Sequence, residues 1–268
     1  MSAAAAAANS AIFRIIERSI VVGDRGGCQR PPNGHAPLGM RTNQRRRRGW
    51  LARAARFCVG AVLALWLCGA LVLVSLRWLD PPTTVVQVQR RIQALVSGKA
   101  YRKKYQFVPL SRISAQLQHA VIAAEDARFY QHHGFDWKEI RTAAEDDLAD
   151  RRSRGASTIT QQLVKNLFFG TGRSWLRKGA EATLVPVAEY ALGKQRILEL
   201  YLNVVEWGPG VYGAEAAAQS YDSTSAAKLN RGQALRLAAI LPAPLRRRPE
   251  RMGWYAGIID GRMRQMGW

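Results

Sequence analysis

The sequence predicts a mainly α-helical domain behind one N-terminal transmembrane helix. Two observations carry that expectation. Phe57 to Leu76 is a run of 20 residues without a charge, enough to cross a hydrocarbon core of about 30 Å at a helical rise of about 1.5 Å per residue. Beyond it, apolar residues recur at three- and four-residue steps between Ser, Thr, Pro and Gly punctuation, the pattern of successive helices with one buried face.

Residues 1 to 40 are Ala-rich, then Gly- and Pro-rich, without a sustained amphipathic period, and read as disordered. Met40 begins an Arg run followed by the apolar segment, so the preceding 39 residues are expected to be a mis-assigned or optional extension. Arg45, Arg46, Arg47, Arg48, Arg53 and Arg56 precede the span, whereas Arg77, Arg90 and Arg91 with Asp80 follow it. The positive-inside rule then puts residues 1–56 in the cytoplasm as a basic, disordered tail, 57–76 across the membrane, and the rest outside. The apolar run is longer than a signal-peptide core, and no Ala-x-Ala site follows it.

Asp80-Pro81-Pro82 closes the span and opens a linker, 77–104, that carries a short helix over Gln87 to Val96. The remaining domain, 105–268, starts with an extended piece from Tyr105 to Leu110. Ser111 or Ser114 can cap the next helix, in which Ile113, Leu117, Val121 and Ala124 form a buried stripe leading to Glu125. Gly134 ends the excursion that follows. Ala144 to Arg154, with Asp146, Asp147 and Asp150, reads as a solvated helix face or mobile loop. Thr158 and Gln161 have the spacing of a capping box, so a helix begins there. Ser174 opens another, which Pro186 should kink and Gly193 should stop. Ile197, Leu198, Tyr201 and Leu202 give the following helix its buried face. Tyr212 to Tyr221 and Gln233 to Leu241 read as two more helices, the last ended by Pro242 and Pro244.

The 268 residues carry 40 Lys and Arg against 19 Asp and Glu, a formal net charge of +21. Such an excess calls for a polyanionic partner: nucleic acid, anionic lipid or a phosphorylated substrate. Residues 1 to 79 hold 12 Arg against Glu17 and Asp24, and the remainder is basic as well. Beside a span, the Arg45 to Arg48 run fixes topology and touches anionic lipid rather than nucleic acid. Cys28, Cys58 and Cys68 form no Cys-x-x-Cys pair and all precede residue 80. A structural zinc site is therefore excluded from the expectations.

Chemistry concentrates in three stretches. A carboxylate at the inner end of a buried helix has a raised pKa, which suits Glu125 to proton abstraction near neutral pH. A surface ion pair with Arg128 beside core Phe129 would explain the same letters. After Thr158, Gln161, Gln162 and Lys165 make a polar face, with Asn166 following. Arg177, Lys178 and Glu181 share a helix face as either an internal salt bridge or, with Lys165 and Arg173, a cationic pocket for pyrophosphate.

Taken together, five stretches resemble the peptidoglycan glycosyltransferases, family 51 of the glycosyltransferases. Glu125-Asp126-x-x-Phe129-x-x-His132-x-Gly134 looks like the first family motif. Ser157-Thr158-Ile159-Thr160-Gln161-Gln162 through Lys165-Asn166 looks like the second, and Arg177-Lys178-x-x-Glu181 is similar to the third. Ile197-Leu198 through Tyr201-Leu202-Asn203, with Gly208 and Gly213-x-x-x-Ala217-Ala218, follows the fourth. Leu237-Ala238-Ala239-Ile240-Leu241-Pro242-x-Pro244 follows the fifth. Two positions depart from the pattern: Ala156 stands where the family has a second Gly, and Asp222 where it has Phe.

The resemblance implies a lysozyme-like helical fold and polymerisation of lipid II, the lipid-pyrophosphate-linked disaccharide-pentapeptide, into glycan strands with inversion. Glu125 would be the general base on the acceptor 4-hydroxyl. Lys165, Arg173, Arg177 and Lys178 would stabilise the departing pyrophosphate. Glu181 would position those cations or hold a divalent ion, Mg or Mn, with the pyrophosphate; no other cofactor is implied. Asp126, Phe129 and His132 would shape the donor and acceptor sites, and Ser157, Thr158, Gln161, Gln162, Asn166 and Asn203 complete the substrate-binding set. The implied partners are lipid II, the growing strand and the inner membrane, with the catalytic domain periplasmic. No nucleic acid is implied, and cell-wall synthesis or division proteins stay unspecified. The resemblance is to monofunctional members, because Ser225-Ala-Ala-Lys228 has no later Lys-Thr-Gly and little chain follows the last motif. Residues around Trp175, Leu176, Leu167 and Phe168 would serve either core packing or an apolar approach to the bilayer. Two rivals stand beside this reading: a lytic glycosidase pairing Glu125 with Asp126 or Glu181, and a non-catalytic binder of anionic lipid.

Overall fold

The computed structural model describes residues 39–148, 155–172 and 174–268. The chain divides into two units, Met1–Arg56 and Phe57–Trp268. The expectation of disorder over residues 1–38, together with Arg173, Asp150 and residues 151–154, lies outside the described residues.

The first helix, α1, runs Gly39–Ser75, so residues 39–56 are helical where the sequence suggested an unstructured tail. Within it Ala52–Ser75 is long and apolar enough to cross a membrane. The turn that leaves its C-terminus is tied to the domain. Leu76 O accepts from Arg196 Nε at 2.8 Å, and Leu79 O and Asp80 Oδ1 accept from Arg196 Nη2 at 2.8 Å each. The helix's own last carbonyls, Val72 O, Val74 O and Ser75 O, are taken by the exit turn, so Arg196 binds that turn and suits the negative end of the dipole.

Helix α2, Val85–Val96, begins at Thr84, whose side chain accepts from Gln87 N. Then come a short strand β1, Lys104–Tyr105, a 3-10 turn at Leu110–Arg112, and α3, Ala115–Glu125. Ser114, not Ser111, is the N-cap of α3. Its Leu117, Ala120 and Val121 are fully buried in the core. Helix α4, Trp137–Leu148, precedes the undescribed segment. Helix α5, Ile159–Val164, starts on Thr158 with the capping box the sequence calls for, and passes into a π-helical turn, Lys165–Phe169.

Trp175–Val204 forms α6, which breaks at Gly193, where φ is 70° and ψ 165°. Only glycine adopts that pair without strain. Pro186 lies inside the helix, and within it Gly193 alone departs from helical dihedrals. After the break, Ile197, Leu198, Tyr201 and Leu202 are all fully buried. Tyr212 corrects a second expectation. It belongs to strand β3, Val211–Tyr212, which pairs in parallel with β1 and antiparallel with β2, Glu206–Gly208. Helix α7 therefore starts only at Ala214 and runs to Asp222.

Helix α8, Arg231–Ile240, is capped by Asn230. A final helix, α9, Gly253–Gln265, was not anticipated. Helices α3, α8 and α9 pack on one another, while α5 lies along α6. From α9, Arg262 Nη1 reaches Ala123 O at 3.2 Å and Ala124 O at 3.5 Å, which caps the C-terminus of α3 just before Glu125.

Candidate active site

Glu125 is the last residue of α3, held between that cap and the start of α5. Its Oε2 accepts from Gln162 Nε2 at 2.8 Å, while its Oε1 is buried without a partner. Burial pushes its pKa up, and the charge of Asp126 adds to that. The Gln162 hydrogen bond and the charges of Lys165 and Arg247 pull the other way without cancelling it. The alternative pairing with Arg128 is not made, since Arg128 lies 3.4 Å from Asp136.

The amide of Gln162 is oriented in turn, its Oε1 accepting from the Tyr201 hydroxyl at 2.9 Å. Tyr201 is fully buried. Since Tyr201 donates, the amide oxygen must face it and the NH2 must face Glu125. The sequence shows Tyr201 only as part of a buried stripe. No local spacing connects it to Glu125, so this contact could not have been read from the letters.

Asp126 and His132 build the floor. Asp126 Oδ2 accepts from Ile159 N at 3.0 Å, and Asp126 Oδ1 lies 2.9 Å from His132 Nε2. Gly134 N donates to His132 Nδ1, so the ring proton sits on Nε2 and points at Asp126. Thr158 Oγ1 donates to Gly134 O at 2.7 Å, and Gln161 closes the capping box. Asp126, His132, Thr158 and Gln161 thus join the loop after α3 to the start of α5. Phe129 is wholly buried beneath them, with Lys194 Nζ 4.5 Å from its ring centroid. Asn203 is also buried, its side chain bridging Val108 N at 2.9 Å and Val108 O at 2.8 Å. Both act through packing and backbone contacts, not as open binding groups.

Cations gather on the other side. Lys165, at the first position of the π-helical turn, has its pKa lowered by burial and by Lys178 and Arg177, while Glu181 and Glu125 oppose that shift. Arg177 pairs with Glu181 and donates to Gly170 O at 3.3 Å. Lys178 Nζ stands 3.8 Å from the other Glu181 oxygen and 3.5 Å from Ser157 Oγ. The internal salt bridge is made, and Lys178 also stands beside Ser157. Asn166 is buried in the same turn. A hard divalent ion takes about six oxygen ligands, whereas Glu181 is a single buried carboxylate already shared by two cations. A divalent ion at Glu181 would therefore have to take the rest of its shell from pyrophosphate oxygens and water. Among the described residues, Asp126, His132 and Asp136 bring ligand atoms within 4.8 Å of one another. Their atoms are engaged by each other, Ile159 N, Gly134 N, Glu139 N and Arg128.

A family model described as Transglycosylase matches residues 90–264. The chain belongs to the transglycosylase family. The transglycosylase is 44% identical over 209 residues, 76% of its own length and 89% of the relative's, to a biosynthetic peptidoglycan transglycosylase of Pseudomonas putida strain F1. It is 48% identical over 195 residues, 71% and 80% of the two lengths, to one of Bordetella pertussis strain Tohama I. Its helical domain is lysozyme-like, as the motifs imply. In this transglycosylase both candidate second carboxylates of a glycosidase are committed, Asp126 to Ile159 N and His132, and Glu181 to Arg177 and Lys178.

Proposed function

We propose that the enzyme polymerises lipid II into linear glycan strands, with Glu125 as general base. Its relatives in Pseudomonas putida and Bordetella pertussis are named for peptidoglycan biosynthesis. The observation that carries the mechanism is the asymmetry of Glu125: one oxygen is fixed by Gln162, the other is desolvated and unpartnered, and cations stand beyond. Oε1 takes the proton of the acceptor 4-hydroxyl as that oxygen attacks the anomeric carbon of the donor. The bond from that carbon to the lipid pyrophosphate breaks, its electron pair leaving on the pyrophosphate, and the configuration inverts. Lys165, Arg177 and Lys178, joined by Arg173, meet the charge that develops there, and Glu181 orients them. Asp126, His132, Thr158 and Gln161 keep the loop and helix in register beneath the sugars.

The α1 span anchors the enzyme in the inner membrane, with the Arg-rich end cytoplasmic and the catalytic domain periplasmic. The reaction needs the amphiphilic substrate at a membrane surface, and a tether beside a basic cleft supplies that.

Polymerisation of labelled lipid II in detergent, by wild type beside Glu125→Gln and Lys165→Ala, tests the reading. Strands from the wild type and none from either variant are expected. Cleavage of preformed peptidoglycan without strand formation would overturn it in favour of the lytic rival.

A further inference from the structure

Helix α2 turns its polar face to the protein and its apolar face outward. Toward the domain, Gln87 is buried, Gln89 Oε1 accepts from Thr171 N at 2.8 Å, and Arg90 grips both oxygens of Glu206 at 3.0–3.2 Å while also reaching Gln93 at 3.1 Å. Val86 is the one buried apolar residue of the helix. Outward stand Val85, Val88, Ile92, Leu95 and Val96, all exposed, Leu95 to 70% and Val96 to 85%. At about 100° per residue Val88, Ile92 and Leu95 form the middle of one face, with Val85 and Val96 at its edge beside Gln89 and with Val86 and Arg90 on the other side. A surface helix of a water-soluble protein has the reverse arrangement.

The place of α2 says what covers that face. Pro82 and Thr83, which lead into the helix, line a cavity of 240 Å³ together with Val72, Ser75 and Leu76. The start of α2 therefore lies beside the last apolar turns of α1. Between the two, Trp78 and Leu79 are exposed, with the Arg77 guanidinium 5.6 Å from the Trp78 ring centroid. Lys103 Nζ returns to Pro82 O at 3.1 Å, and Arg91, Lys99 and Arg102 are exposed nearby in sequence. An apolar stripe flanked by an aromatic ring and basic residues is the composition of a helix lying in a membrane interface over anionic headgroups.

We propose that α2 is an interfacial helix, its stripe from Val85 to Val96 seated among the acyl chains of the bilayer that α1 crosses. This rests on the membrane role of α1 and not on the catalytic assignment. One consequence reaches the active site. Gln89 of α2 holds Thr171 N, and the preceding Gly170 O receives Arg177. The depth of α2 thereby sets the height of the leaving-group cations above the hydrocarbon.

The test uses the full chain with Cys28, Cys58 and Cys68 replaced by Ser. Single cysteines at Val88, Ile92 or Leu95, and at exposed Lys228 as reference, carry an environment-sensitive fluorophore. The protein is reconstituted without substrate in phosphatidylethanolamine and phosphatidylglycerol vesicles. The α2 labels should show blue-shifted emission, lose signal to nitroxide placed on the acyl chains, and keep it in aqueous iodide. The Lys228 label should do the opposite. Iodide quenching of the α2 labels to the level of the Lys228 label would overturn the proposal. So would shielding from both quenchers, the signature of a protein partner or second copy. Because no turnover is read, failure here is separable from failure of the catalytic reading.

Discussion

Glu125 has two unlike oxygens, and the difference between them predicts behaviour at the scale of a single residue. A base held by Gln162 on one oxygen and bare on the other should be lost cleanly in Glu125→Gln, which keeps the shape and the acceptor. Turnover should fall by about 10²–10⁴-fold, the usual worth of general-base catalysis, as read by strand synthesis. Because burial raises the pKa of Glu125, the acid limb of kcat/KM should lie above the ordinary glutamate range, activity falling as pH drops through it. The sign for stability is the reverse. A carboxyl that binds its proton more tightly when folded costs stability once ionised, so the cost is present above the folded pKa and relieved as pH falls through it. Glu125→Gln should therefore melt higher than wild type at neutral pH, by roughly 2–4 °C for each kcal/mol relieved, and the gap should close in acid. Tyr201 bears on the same atoms. Tyr201→Phe leaves Gln162 Oε1 without a donor and frees the amide to turn its oxygen toward Glu125. We expect kcat to fall by roughly tenfold, the effect of losing about 1.4 kcal/mol, with KM for lipid II unchanged and the acid limb moved upward. An unmoved pH profile would reduce Tyr201 to packing.

At the scale of elements, local spacing decided what could be read in the letters. The Thr158–Gln161 capping box, the Ser114 cap and the buried stripe of Ile197, Leu198, Tyr201 and Leu202 all rest on neighbours within one or two turns, and all form as expected. The small sheet escaped. Its strands are two or three residues long, too short to carry a period, and Lys104 pairs with Val211 from across the domain. Tyr212 was consequently drawn into a helix it only precedes. The π-helical turn after Val164 is equally silent in sequence, yet it carries Lys165 and Asn166. Pro186 and Gly193 separate the same way. Helical dihedrals continue through Pro186, whereas φ of 70° with ψ of 165° at Gly193 admits no side chain comfortably. Gly193→Ala should cost about 1–3 kcal/mol, visible as a lower urea midpoint. An added Cβ there meets nothing within 4 Å, so the loss would be one of backbone strain and not of crowding.

For the molecule as a whole, composition revealed a helix long and apolar enough to cross a membrane but not how it is fastened. Charge-free length gave the span, and five motifs gave the domain; the joint between them depends on Arg196, which no motif marks as special. That one guanidinium gathers Leu76 O, Leu79 O and Asp80 from the end of α1 and pairs with Glu199 in α6. Glu199 in turn accepts from Leu110 N at 2.6 Å. Two helices, the linker and the turn before α3 thus meet on a single ion pair. Hydrogen bonds to a charged group contribute about 1.5–3 kcal/mol each, and they are not additive when they share one donor group. Arg196→Gln should accordingly destabilise the domain by on the order of 3 kcal/mol and free the segment from Leu76 to Thr84. Limited proteolysis of the detergent-solubilised chain reads this directly: cleavage in that segment should appear in the variant under conditions where wild type stays whole. The cleft residues are untouched by the change, so a purified variant that is cut faster should still polymerise lipid II in detergent. It should lose more of its activity in vesicles, where the height of the cleft above the bilayer depends on the joint. An Arg196→Gln chain as protease-resistant as wild type would mean that the apolar packing of Leu73 and Leu76 alone holds α1 to the domain.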